Sequence, residues 1–153
     1  MSQLINRVDH VVWLVQPQNL EAYVEKFSKL FRTQFDGPQL RPAFGVKFWV
    51  SWEAGLEILA PWGDNDSAKM WTQRLKDRGE GVFSVVFGVR DLEEASEHAR
   101  QLGYPVSPVF SLSGDEPWKH KMESFQEVVI GDMLGTLMGF GEIRYAEGVV
   151  EKE

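Results

Sequence analysis

The chain has 153 residues, with 16 basic against 23 acidic side chains, a formal net charge of −7 and no cysteine. Such a length suits one domain or two closely packed halves; the acidic balance disfavours nucleic acid as a partner, and the missing thiols exclude disulfides, cysteine nucleophiles and cysteine metal sites. No apolar run approaches the ~20 residues of a membrane span, and Met1 through Arg7 lack the basic start and apolar stretch of a secretory signal, so a cytoplasmic protein with no membrane partner is expected.

In chain order, Val8 to Val15 is a short, β-branched apolar run that reads as a buried strand. Leu20 to Phe31 places Leu20, Tyr23, Val24, Phe27, Leu30 and Phe31 at helical spacing, and Asn19 stands where it can cap that helix. Asp36-Gly37-Pro38 has turn chemistry. Val46, Phe48, Val50 and Trp52 then alternate with Lys47, Trp49, Ser51 and Glu53, the period of a half-buried strand. A turn at Glu53-Ala54-Gly55 leads into the strand Leu56 to Ala60, giving a hairpin. Asp64 to Gly79 reads as a connecting helix with Asp66 as its cap and Gly79 as its stop.

After that helix the pattern begins again. Val82 to Val89 is an apolar run, Leu92 to Leu102 an amphipathic helix stopped by Gly103, and Phe125 to Ile130 and Thr136 to Phe140 are strands. Val8, Val11, Val12 and Val15 match Val82, Val85, Val86 and Val89 at an offset of 74 positions. Two copies cannot stack into a solenoid, so they imply two like modules. Their expected bounds are about 6–62 and 81–142, joined by the linker helix at about 64–79, with an extended or frayed polar tail over 143–153.

The residues Asp9-His10-Val11, Gly55-Leu56-Glu57-Ile58-Leu59, Arg78-Gly79-Glu80-Gly81-Val82, Val89-Arg90-Asp91-Leu92-Glu93-Glu94-Ala95 and Gly135-Thr136-Leu137-Met138-Gly139-Phe140 carry a resemblance in their order and spacing. Together they resemble the vicinal oxygen chelate superfamily, which groups glyoxalases, bleomycin resistance proteins and extradiol dioxygenases. The linker through Leu75-Lys76-Asp77-Arg78-Gly79-Glu80-Gly81 is most similar to the methylmalonyl-CoA epimerase branch. The resemblance spans roughly residues 6 to 142 and implies an α+β fold. In it, two βαβββ modules form an eight-stranded, cup-shaped, glyoxalase-like sheet, and such cups commonly pair as homodimers.

Metal-dependent members of that superfamily hold one divalent ion with four ligands, one from the first and one from the last strand of each module. Carried over by position, the first module keeps His10 and Glu57, whereas the second has Ser84 and Gly139 in the corresponding places. Two protein ligands are fewer than enzyme metal sites ordinarily use. No tightly bound cofactor is therefore expected, while a weakly bound divalent metal is compatible with His10 and Glu57. The other histidines add little: His98 falls on a helix, and His120 lies between Lys119 and Lys121, which repel a cation.

A histidine in an apolar strand, as His10 is, is more often a satisfied core histidine than a ligand. Glu57, between Leu56 and Ile58, is costly to bury unless paired. If both face the cup they form a candidate proton-transfer pair, because burial and hydrogen bonding bring a pKa toward neutrality. If Glu57 faces solvent, that reading fails. Ser84 and Gly139 are smaller than the ligands they replace and would enlarge the cup, although glycine in a strand also marks a bulge or close packing. Among six tryptophans, alternation puts Phe48 and Trp52 on one face of their strand and Trp49 with Lys47 on the other. At least one face would offer an aromatic wall to a flat or hydrophobic ligand, with Lys47 or Arg41 available for an anionic group.

Three function classes follow, in this order. The first is a small-molecule-binding protein of the bleomycin-resistance type, holding a hydrophobic or aromatic ligand without a tightly bound metal through Trp49, Trp52, Phe48, Ser84 and Gly139. The second is an isomerase, epimerase or lyase in which His10 and Glu57 move a proton next to a carbonyl. The third is a metal-dependent enzyme of the superfamily completed by a ligand that the sequence does not reveal.

Overall fold

The computed structural model describes residues 2–150. Its elements are β1 (Ile5–Leu14), α1 (Leu20–Phe31), β2 (Asp36–Arg41), β3 (Val46–Ser51), β4 (Leu56–Pro61), α2 (Asp66–Arg78), β5 (Gly81–Val89), α3 (Leu92–Gln101), β6 (Phe110–Ser111), β7 (Met122–Met133) and β8 (Thr136–Tyr145). The strands form one eight-stranded sheet in the order β2-β3-β4-β1-β5-β8-β7-β6. The fold is α+β, as the resemblance implied. Among the described residues no helix is long and apolar enough to cross a membrane.

The chain divides into two compact units, one of Val12–Phe83 and one joining the residues up to Val11 to those from Ser84 onward. In the first unit, Val15, Leu20, Ile58 and Ala60 form a buried cluster with Trp13, Tyr23, Val24, Phe27, Phe35 and Trp49 packed against it. The apolar stripe of α1 supplies Leu20, Tyr23, Val24 and Phe27, so the helix exists largely to cover this face of the sheet. Full burial of a side chain such as Leu20 or Ile58 is worth about 1.5–3 kcal/mol.

In the second unit, α3 sets Leu92, Ala95 and Ala99 against Val89, Val128, Ile130 and Phe140. The small alanines let the helix lie close to the strands. Its first turn is capped by Asp91, whose Oδ1 accepts from Glu94 N at 3.0 Å, and Glu142 on β8 accepts from Leu92 N at 3.0 Å. Both carboxylates satisfy amides that have no partner within the helix.

Several local expectations are corrected. Asn19 does not cap α1 with its side chain; its Nδ2 donates instead to the Glu80 carboxylate, at 3.1 Å to Oε2, which also accepts from Gln16 N at 2.8 Å. The cap of α2 is Asn65, not Asp66, with Oδ1 accepting from Ala68 N at 2.8 Å. The turn expected at Asp36-Gly37-Pro38 lies inside β2, where the β2–β3 register shifts between Asp36 and Gln39. β2 is at the end of the strand order, and a proline without an amide proton is tolerated on such an edge. β8 continues to Tyr145, taking in the first three residues of the expected tail, because Ile143 and Tyr145 both find places in the sheet ladder opposite Phe125 and Met122. Of that tail, residues 151–153 lie outside the described residues.

Candidate active site

β1 ends its N-terminal half with Asp9 and His10. Asp9 is buried, 8% exposed, and its carboxylate collects three donors. Tyr145 donates its hydroxyl to Oδ1 at 2.8 Å, His10 Nδ1 lies 2.8 Å from the same oxygen, and Arg7 Nη2 donates to Oδ2 at 3.0 Å. The Arg7 guanidinium also lies over the Tyr145 ring, 5.9 Å from its centroid. All four residues belong to the unit that joins the N-terminal residues to the second half of the chain.

This arrangement answers the cost of burying a carboxylate. Burial, the strongest single influence, pushes the Asp9 carboxyl upward, but the hydrogen bond and charge of His10, with the Tyr145 and Arg7 bonds, together hold it below its ordinary value of 3.8. The Tyr145 phenol moves the other way. Burial first, then the adjacent Asp9 charge, raise it far above its ordinary value of 10.0, so Tyr145 is a fixed hydrogen-bond donor throughout the neutral range.

In the other unit, β3 and β4 pair so that Phe48 faces Leu59, Trp49 faces Ile58 and Val50 faces Glu57. Trp49, Ile58 and Ala60 belong to the cluster covered by α1. Alternation therefore puts Glu57 on the reverse face with Phe48, Val50 and Leu59, all three of which are buried. Glu57 itself is half-buried.

The remaining residues of interest are distributed between the units. Trp49 is half-buried among the α1-facing side chains, and a Cβ on Gly37 would sit 2.8 Å from its ring. Trp52 follows β3 and donates Nε1 to Asp36 Oδ2 at 3.0 Å. Lys47 shares the Trp49 face and pairs with Glu21 of α1 at 2.8 Å; Arg41 lies over the Phe44 ring at 5.3 Å. Ser84 is buried on β5 opposite Leu137, and Gly139 is buried on β8 opposite Val86. A Cβ at Gly139 would stand 3.0 Å from the Val128 carbonyl oxygen, so this glycine permits a close approach of β7 and β8. His98 and His120 are exposed.

Among the described residues, no group of three or more histidine, aspartate or glutamate side chains is placed to hold a metal ion. The two second-module positions offer one neutral hydroxyl and no side chain at all, whereas firmly held divalent ions take three or more protein donors. The residues present do not fit a tightly bound ion.

Sequence reasoning missed Asp9, Arg7 and Tyr145 as site residues. Asp9 stood in the Asp9-His10-Val11 motif without a role, although an acidic residue in a buried strand must find donors somewhere. Tyr145 lay in the stretch read as tail. Only the contact across 136 positions of chain reveals what it does.

No family model matches the chain, and no curated protein matches it. Solved structures do. The methylmalonyl-CoA epimerase of Mycobacterium tuberculosis is similar with a TM-score of 0.65 at 18% identity, covering 93% of this chain and 91% of that one. A variant of the Streptomyces coelicolor methylmalonyl-CoA epimerase, in complex with 2-nitronate-propionyl-CoA, gives 0.64 at 20% identity over 90% of this chain and 97% of that one. A methylmalonyl-CoA epimerase in complex with methylmalonyl-CoA and ammonium gives 0.65 at 19% identity over 96% and 98%. Likeness at these identities, over nearly the whole of both chains, establishes architecture. The chain has the fold seen in these methylmalonyl-CoA epimerases, a glyoxalase-like α+β arrangement.

Proposed function

We propose that this chain is an isomerase of the epimerase type, moving a proton next to the carbonyl of an acyl thioester, with His10 and Glu57 as the transferring groups. The observation that carries the reading is that both ionisable side chains the resemblance singles out are half-buried, His10 against the Asp9 carboxylate and Glu57 on the face of β4 turned away from α1. The CoA thioesters bound by the structural neighbours support the substrate class. These neighbours favour proton transfer over binding without catalysis, the class placed first from sequence. A loosely held divalent ion is compatible with His10 and Glu57 but is not needed for the proton transfer proposed.

In chemical terms, a base removes a proton from the carbon beside the carbonyl and an acid returns one. Phe48, Trp52, Trp49, Ser84 and Gly139 are proposed as ligand contacts, and a cytoplasmic homodimer as the working form. The test is exchange of the carbon-bound hydrogen at position 2 of methylmalonyl-CoA or propionyl-CoA in D2O, followed by mass spectrometry. The wild-type protein is expected to incorporate deuterium. His10→Ala and Glu57→Gln are each expected to reduce the rate by about 100-fold or more, the usual contribution of a positioned acid or base. Absence of exchange, combined with ligand quenching of tryptophan fluorescence, would instead establish the binding reading, for which the uncharged pair Ser84 and Gly139 speaks.

A further inference from the structure

We infer that Gln39, on the edge strand β2, is a ligand-reading residue. Its side-chain amide takes the polar end of a small uncharged ligand that carries a hydrogen-bond donor and acceptor side by side, as a primary carboxamide or a lactam does. That a ligand lies on this face rests on the small-molecule reading above; what Gln39 reads in it does not depend on a proton being moved.

The strand register places the residue. Gln39 stands opposite Phe48 of β3, and Phe48 opposite Leu59 of β4, so the three make one row across the sheet with their side chains on one face. This is the face turned away from α1, since the alternate residues Trp49, Ile58 and Ala60 join the cluster under that helix. The next row on the same face is Asp36, Val50 and Glu57, about 7 Å further along the strands. The row on the other side is Arg41, Val46 and Pro61.

The side chains nearest Gln39 in these rows are apolar and buried: Phe48, Leu59, Val46 and Val50. Gln39 is itself only 8% exposed. Other buried polar side chains find partners within the chain: Ser51 Oγ lies 2.6 Å from Thr33 Oγ1, and Glu116 accepts from Ser113 N at 2.7 Å. Among the described residues none hydrogen-bonds the Gln39 amide, yet its polar atoms are not fully enclosed. A primary amide offers two donors and an acceptor, and placing it in an apolar setting without partners costs stability. A ligand that supplies the missing bonds accounts for an amide there, because small-molecule sites set a few polar groups into apolar walls.

The same chemistry selects the ligand. An amide donates beside the atom with which it accepts, so a neutral group with an adjacent acceptor and donor closes two hydrogen bonds at once. A carboxylate answers only the N–H side and sets its second oxygen against Oε1. It also brings negative charge next to the row that holds the Asp36 and Glu57 carboxylates, while Arg41 lies over the Phe44 ring. Phe48, beside Gln39 in the row, offers a ring surface to a flat ligand.

The experiment is titration of 15N-labelled protein with three probes of one shape: benzamide, benzoate and toluene. Gln39→Met, which keeps the length of the side chain, identifies the Gln39 amide signals by their loss. Benzamide is expected to shift those signals and to bind at least about 10-fold more tightly than benzoate or toluene, the worth of one well-made hydrogen bond to a buried group. In Gln39→Met the preference should vanish, with toluene bound as well as before or better. The variant should also unfold at the same or a higher urea concentration, because it no longer buries an unpartnered amide. Equal affinity for the probes, tighter binding of benzoate, no binding of any of them, or a Gln39→Met protein less stable than wild type would overturn the inference. A benzamide preference without deuterium exchange would leave Gln39 in its role and sink the proton-transfer reading alone, and exchange without the preference would do the reverse.

Discussion

At the scale of single residues, the buried carboxylate of Asp9 organises the N-terminal end of β1. Its three donors convert a costly desolvated charge into a fixed anchor. The pairing has a pH signature through Tyr145. Burial and the Asp9 charge raise the folded-state phenol value above the ordinary 10.0, so its contribution to stability is complete below about pH 10 and is withdrawn as pH rises beyond it. The expected result is an alkaline loss of about 1.4 kcal/mol per pH unit above pH 10 that Tyr145→Phe lacks. Urea denaturation between pH 8 and 12 measures it; parallel stability curves for the two proteins would show that the phenol stays accessible.

At the scale of elements, residue type was legible but partner choice was not. The span of α1 follows from its apolar spacing over Leu20–Phe31, yet its presumed cap, Asn19, donates to Glu80. An asparagine side chain can accept or donate, and the Glu80 carboxylate, brought back by α2, decided the outcome. Asn65, by contrast, accepts from Ala68 N in the normal capping role. Asn65→Ala is accordingly expected to cost about 1 kcal/mol. Asn19→Ala should cost less than half of that, because its contact to Glu80 is exposed and screened. Thermal denaturation of both variants, repeated at high salt, separates the two cases: salt should erase the Asn19 effect and leave the Asn65 effect. Equal, salt-independent losses would mean that Asn19 caps α1 after all.

At the scale of the whole molecule, the duplicated pattern and the compact units do not coincide. The repeat sets Val8–Val15 against Val82–Val89, one copy after the other. The fold instead gathers the residues up to Val11 with those from Ser84 onward, and Asp9 meets Tyr145 as part of that arrangement. The C-terminal residues are therefore structural beyond the point where the sequence pattern fades. A chain ending at Ala146 is expected to keep most of its stability, while one ending at Glu142 should lose about 2–4 kcal/mol. The loss combines the half-buried Ile143 and Tyr145 side chains with the Asp9 bond. Urea denaturation of the two truncations is the check, and equal stability would make these residues the dispensable tail their polarity suggests.

The sequence by itself determined the spans of the three helices to within two residues, the existence of the long strands and the duplication, while its resemblance implied the α+β class. The spans and the duplication follow from local periodicity, which needs no knowledge of neighbours. The resemblance, carried over by position, also singled out His10 and Glu57 and left their neighbour Asp9 without a role. The tertiary structure alone decided which face each strand residue joins. It placed Trp49 and Lys47 toward α1 and Glu57 on the reverse face, and it made Gly139 a point of close strand approach. The anchoring of His10 is the clearest case. Asp9 is its neighbour in the chain, but the tyrosine that holds Asp9 is 136 positions away, and a hydrogen bond at such separation exists only once the whole chain has paid the entropy of folding.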